Sequence, residues 1–366
     1  MKKVIFISAL AIAAAVSCTK SDIVDTKFDE QIGFQTYLGR AAQTKAAVID
    51  KDNIDDFSIG LYGFYTGKDG YEQATSIANL WANEKLYWET SAWKYDNPKY
   101  WTNAEDKYTF LAYSPYVEIS TTEAGVKSAV ATYGTGEGAG SLTVNKLGEE
   151  ADPTLTYVLP ADQNDQIDLL YANDASHVGM TRPGEGATLE SVGLIFKHAL
   201  SRITVKASEN VDAYEYTIKS IVLSGNFNTT GTLALASGNW SAVSSSNPTY
   251  TFFTGTEVLT SEATEYKTKG YLMPIPTVEG TPTKVTVTVT YSTKFGDVVS
   301  KDMTKKVEFT TTFVKGTAYA INLAFEENKE NPITFTVEDV EDWGADNPVP
   351  ADKPLNPETG TVVPQA

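Results

Sequence analysis

The sequence predicts an all-β chain built from two tandem antiparallel β-sandwich domains, and three observations carry that prediction. Apolar and polar residues alternate with period two through many short segments, most cleanly in Lys284–Tyr291, where Val and Thr take turns. Gly, Pro, Asn and Asp separate these segments at strand-length spacing, and no long run carries the helical period. The composition suits strands, with 20 Tyr and abundant Thr and Val.

Bulk properties narrow the function classes. The chain has 366 residues, 42% hydrophobic and 21% charged, enough for more than one core. Its 47 acidic and 29 basic side chains leave a net charge of -18. Such a surface repels phosphate, so nucleic acid is not an expected partner, and anionic lipid is disfavoured as well. The sole cysteine, Cys18, excludes a disulfide within the chain. With only two His, there is little material for a His/Cys metal site, and no cofactor is expected.

The N-terminus reads as an export signal. Met1-Lys2-Lys3 is a basic start, and Val4–Val16 is an apolar run of 13 residues. A bilayer span needs roughly 20, so the run fits the apolar region of a signal peptide. It ends Ala15-Val16-Ser17-Cys18. Small residues before the only cysteine look like a bacterial lipobox, with cleavage between Ser17 and Cys18 and lipid on Cys18 tethering a soluble body. Residues 1–17 are therefore expected to be signal peptide, and 18–30, polar and acidic, a lipidated tether.

Residues 31–180 are expected to form the first sandwich. Gln31–Leu38 reads as a strand with Ile32, Phe34 and Leu38 on one face. Gly39-Arg40-Ala41-Ala42 and Thr44-Lys45-Ala46-Ala47 follow as an open loop in which Arg40 is either a solvated charge or a protease-accessible basic residue. Asp56–Tyr65 and Lys107–Pro115 read as strands, and Lys85–Trp88 with Trp93–Tyr95 as a hairpin. Four tryptophans, Trp81, Trp88, Trp93 and Trp101, fit either sandwich core or a platform for glycan. The glycine-rich stretch Thr132–Gly140 lacks the Lys-Ser/Thr of a phosphate loop and reads as a plain loop. Asp162–Asp168 alternates oxygen side chains but lacks the Gly and Glu of a calcium loop, which leaves turn chemistry.

Residues 181–345 are expected to form the second sandwich. It opens with Leu189–Ala207, whose apolar parity shifts before Ile203, the mark of a bulge or sharp bend. Further strands read at Tyr216–Leu223, Gly231–Leu235, Thr249–Phe253, Gly270–Pro276, Lys284–Tyr291, Val298–Phe313, Ala318–Leu323 and Pro332–Glu338. Prolines restrict Gly270–Pro276 to an edge or an end. His198 reads as a half-buried sheet residue beside Phe196 and Leu200. No nucleophile elbow or zinc-protease motif occurs, so an enzyme is not expected. The tail, 346–366, is rich in Pro; only Gly360-Thr361-Val362-Val363 could pair as an edge strand.

In Gly193–Ile203, with its F-x-H-A-L-x-x-I pattern, and in the preceding Asp168–Ala172, the chain resembles the fimbrillins of Bacteroidales, the subunits of type V pili. Cys18, Ile59–Tyr62, Tyr108–Pro115, Gly270–Pro276, Ala318–Leu323 and Asp342-Trp343 fall in the same order. The resemblance implies transthyretin-like sandwiches, display on the cell outer membrane as a lipoprotein, and assembly by strand exchange with other pilus subunits. It further implies that a trypsin-like protease cuts behind the first strand, here between Arg40 and Ala41, or second between Lys45 and Ala46. The released strand would be the one carrying Ile32, Phe34 and Leu38, and Thr361, Val362 and Val363 would form the donor strand. A Pro-rich tail with two valines departs from the strong β donor expected of a stalk subunit. The competing expectation is a non-polymerising surface lipoprotein that binds glycan or another host ligand through the tryptophans.

Overall fold

In a computed structural model, the described residues are 31–38, 49–50, 52–102, 106–123, 125–148, 151–173, 180–181, 191–211, 213–266, 270–278, 281–327 and 333–342. Among them the chain forms 23 strands, numbered β1 to β23 in chain order, and two single 3-10 turns. The strands make four sheets.

The first sheet runs, in spatial order, β1 (Phe34–Leu38), β12 (Val192–His198), β10 (Leu170–Ala172), β5 (Lys107–Ser114), β2 (Ile59–Gly67), β3 (Trp81–Glu89) and β4 (Ala92–Lys94), with β11 (Met180–Thr181) also beside β5. The second runs β16 (Trp240–Ser246), β15 (Phe227–Ala234), β9 (Thr154–Val158), β8 (Gly140–Asn145), β7 (Lys127–Tyr133) and β6 (Ser120–Thr121). The third runs β17 (Thr249–Val258), β14 (Glu215–Gly225), β19 (Thr283–Phe295) and β20 (Val298–Val299), with β21 (Met303–Thr311) also beside β19. The fourth is β18 (Thr264–Tyr266), β13 (Arg202–Glu209), β22 (Thr317–Phe325) and β23 (Ile333–Asp342).

Alternation explains the outer sheets. In β19, Val285, Val287 and Val289 are buried while the Thr between them are half-buried. The central strands of the first sheet carry apolar residues at consecutive positions because both faces are covered. In β5, Tyr108, Phe110 and Ala112 enter one apolar cluster, and Leu111 and Tyr113 enter the other. The larger cluster joins Leu142, Val144, Leu155 and Tyr157 of the second sheet to Ile203, Val205, Val287 and Leu323 of the third and fourth. The smaller one is the aromatic interior of the first sheet.

Four expectations need correction. The stretch Leu189–Ala207 is not one bent strand of a second domain: β12 joins the first sheet and β13 the fourth, with the crossing at Leu200-Ser201. A cut at 180/181 therefore separates β12 from its partners β1 and β10, and likewise β15 from β9. The parity shift before Ile203 marks that change of sheet. Two ladders, β1 with β12 and β13 with β22, are parallel rather than antiparallel; the long connections between those strands permit it. Gly270–Pro276 forms no strand. It is buried but makes only single bridges, Leu272 to Ile203 and Ile275 to Asn228, because Pro274 and Pro276 have no N–H to donate. The first strand is shorter than Gln31–Leu38, since Gln31 bridges to Tyr100 instead.

Candidate functional site

β1 is the outermost strand of the first sheet. Phe34 lies opposite Val192 and Leu38 opposite Phe196, and among the described residues no other strand pairs along Phe34–Leu38. Its approach is tied separately: the Ile32 N–H donates to the Lys99 carbonyl at 2.9 Å, and the Tyr95 hydroxyl donates to the Ile32 carbonyl at 2.6 Å. Burial withdraws water from the Tyr95 hydroxyl and raises its pKa. Among the described residues the strand thus hangs on one ladder, and the end strand of a sheet is a template for another chain.

Side chains hold β1 as well as its backbone ladder. Ile32, Phe34 and Leu38 all enter the aromatic cluster. The Phe34 ring stands edge-on to Phe110, Trp81 and Tyr95 at centroid distances of 5.4, 5.8 and 5.9 Å. Such geometry sets ring edges against ring faces and adds about 0.5–1.5 kcal/mol per pair beyond burial. Thr36 fills the position between, its hydroxyl accepting from the Trp93 indole N–H at 3.2 Å. On the opposite side Gln35 is exposed. The inward set Ile32, Phe34, Thr36, Leu38 is the strand's complement to its slot.

Three of the four tryptophans are core. Trp81, Trp93 and Trp101 are buried, so they form no glycan platform; the rolled first sheet turns them inward. Trp88 alone of the four is exposed, at 40%, standing edge-on to Trp93. It lines an open cleft of ≈ 400 Å³ with Phe34, Thr36, Ile54, Asp55 and Trp93. Burial, and then neighbouring Asp56, raise the Asp55 pKa there.

The site has a second anchor that the sequence did not reveal. Asp168, at the end of the acidic run, points into the protein and is 1% exposed. Its Oδ1 lies 2.9 Å from His198 Nδ1, and its Oδ2 accepts the Ile49 N–H at 2.9 Å. His198 is fully buried, not half-buried as expected. Strand parity places a residue on a face but does not name a partner 119 positions away, which is how far Ile49 lies from Asp168. Asp162, by contrast, does the turn chemistry foreseen, accepting from the Asn164 N–H.

Ile32, Phe34 and Leu38 are therefore brought together in the slot. Ser17, Cys18, Arg40, Ala41, Lys45, Ala46, Thr361, Val362 and Val363 lie outside the described residues.

Fold and site define a protein of packed β-sheets whose first strand ends a sheet among the described residues. Residues 44–343 match the model of the family described as fimbrillin-like, and the chain belongs to that family. Fimbrium subunit Fim1C of Phocaeicola vulgatus is 23% identical over 211 residues, which cover 56% of this chain and 51% of the relative. The chain thus spans about half the length of that curated relative. A crystal structure of a fimbrial protein from Bacteroides vulgatus shares the fold, with a TM-score of 0.64 at 19% identity over 86% of this chain and 99% of that one.

Proposed function

We propose that the chain is a structural subunit of a cell-surface fimbrium supporting adhesion, tethered to the outer membrane through lipid on Cys18 before assembly. A trypsin-like protease cuts after Arg40, or after Lys45, and β1 leaves. An extended strand of a neighbouring subunit then takes its place by β-augmentation. Because donor and slot come from different segments of the sequence, the contact is head-to-tail and builds a filament.

The observation that carries this reading is the position of β1, laddered to β12 alone among the described residues and directly ahead of the Arg40 segment. A central strand would have to break two ladders to leave; β1 breaks one. N-terminal sequencing of the mature surface protein tests it. A start at Ala41 or Ala46, with oligomers that resist sodium dodecyl sulfate, is expected. Monomers still beginning at lipidated Cys18 would overturn it.

A second reading, a surface lipoprotein that binds glycan without polymerising, is favoured only by the cleft beside Trp88. Folded Trp88→Ala protein that loses binding on a glycan array supports it; a blank array for the parent protein excludes it.

A further inference from the structure

The seated strand β1 shows what its slot accepts, and one inward position dominates. Ile32 and Leu38 are aliphatic and Thr36 is small, whereas Phe34 meets three aromatic neighbours edge-on. Without a ring at that position, Trp81, Tyr95 and Phe110 would surround a void or admit water. Removing a buried Phe costs about 3–5 kcal/mol in proteins, and every 1.4 kcal/mol is about tenfold in affinity.

The tail of the chain can be set against this template residue by residue. Phe34-Gln35-Thr36-Tyr37-Leu38 aligns with Thr359-Gly360-Thr361-Val362-Val363. Thr361 then repeats Thr36, and Val363 stands for Leu38. Thr359 falls where Phe34 belongs and offers neither a ring nor enough volume. Pro357 falls at Ile32, and Pro364 follows at once without an N–H.

We propose that the slot of β1 selects its occupant by an aromatic residue at the Phe34 position, so that a strand of the pattern aliphatic-x-aromatic-x-small-x-aliphatic fits. Residues 359–363 miss that pattern at Thr359 alone among the three positions that match 34, 36 and 38. The partner is then an extended segment carrying a ring at that register. This rests on the strand-replacement reading above and names the chemistry of the partner.

The test uses the folded full chain, cut by trypsin and shown by N-terminal sequencing to start at Ala41 or Ala46. Four labelled synthetic peptides in excess are followed by fluorescence anisotropy: residues 31–38, the same with Phe34→Ala, residues 355–366, and the same with Thr359→Phe. The first and fourth are expected to bind, with the second and third at least about 30-fold weaker than the first. Binding of the Phe34→Ala peptide or of unchanged 355–366 within about threefold of the first would overturn the aromatic rule and leave strand replacement standing. A Thr359→Phe peptide no tighter than its parent would also overturn it. Failure of all four to bind overturns strand replacement itself. Because the variants are in the peptides, misfolding of the protein cannot produce any of these results.

Discussion

Asp168 Oδ1 lies 2.9 Å from Nδ1 of His198, with both side chains fully buried. The other oxygen of Asp168 holds the backbone N–H of Ile49, the first described residue after the segment that contains Arg40 and Lys45. One carboxylate thus joins the end of β12 to the chain that remains if β1 is cut away. Both side chains are buried, and there an unmatched donor costs about 1–3 kcal/mol. Asp168→Ala is expected to destabilise the protein by about 2–4 kcal/mol in urea denaturation, and Asp168→Asn by less, since the amide keeps one acceptor. An Asp168→Ala protein as stable as the parent would remove the pair from any structural role.

Phe34 and Gln35 are neighbours on β1 but face opposite ways. Phe34→Ala is expected to cost about 3–4 kcal/mol, because three ring contacts and the burial go together. Gln35→Ala should cost no more than about 1 kcal/mol, through the hydrogen bond its Oε1 accepts from the Tyr37 hydroxyl at 2.8 Å. Chemical denaturation of both proteins checks this; equal effects would mean that β1 is held by its ladder rather than by its slot.

Gly60 on β2 lies opposite Tyr113 on β5, and the tyrosine ring lies where a β-carbon on residue 60 would be. Tyr113 cannot swing aside. Its hydroxyl donates to Asn83 Oδ1 at 2.5 Å and accepts from the Val117 N–H at 3.2 Å, and the residue is fully buried. Gly60→Ala should therefore cost about 1–3 kcal/mol through overpacking. Gly70→Ala, with open space around it, should be silent in the same thermal melt.

Alkaline pH should unfold the protein earlier than exposed tyrosines would allow. Burial pushes the Tyr171 and Tyr133 hydroxyls up to about 12. In the unfolded chain they ionise near 10, so between about pH 10 and 12 the unfolded state has lost protons that the folded state keeps. Stability is thus full below about pH 10 and falls above it, by about 1.4 kcal/mol per pH unit for Tyr171, which is 3% exposed. Lys315, whose ammonium lies 4.8 Å from the Tyr171 ring centroid, acts in the opposite sense. Burial, then Lys197, lower its pKa, so it returns a little stability as pH rises toward its ordinary value. Urea midpoints followed by circular dichroism should drop steeply above about pH 10; constant midpoints would contradict the buried state of these hydroxyls.

Much of the strand content could be read directly. Lys284–Tyr291 alternates because one face of β19 meets the core and the other lies nearer solvent. The pairing of β3 with β4 around Trp88 and Trp93 was visible as two aromatic segments a turn apart. Trp81, Trp93 and Trp101 were ambiguous, since a ring that packs and a ring that binds sugar look alike until the sheet is rolled. His198 and Asp168 were each visible as a residue, never as a pair. Gly270–Pro276 looked like a strand because burial and pairing usually coincide, and there they do not: it is buried with single bridges only.

Residue order alone was enough for strand character, the acidic surface and the inward face of Ile32, Phe34 and Leu38, because each follows from local periodicity or charge. Which strands become neighbours was settled by folding in three dimensions. The places of β1 at an edge, of β12 beside it and of the aromatic cage around Phe34 depend on residues far apart in the chain, whose mutual burial no local pattern encodes.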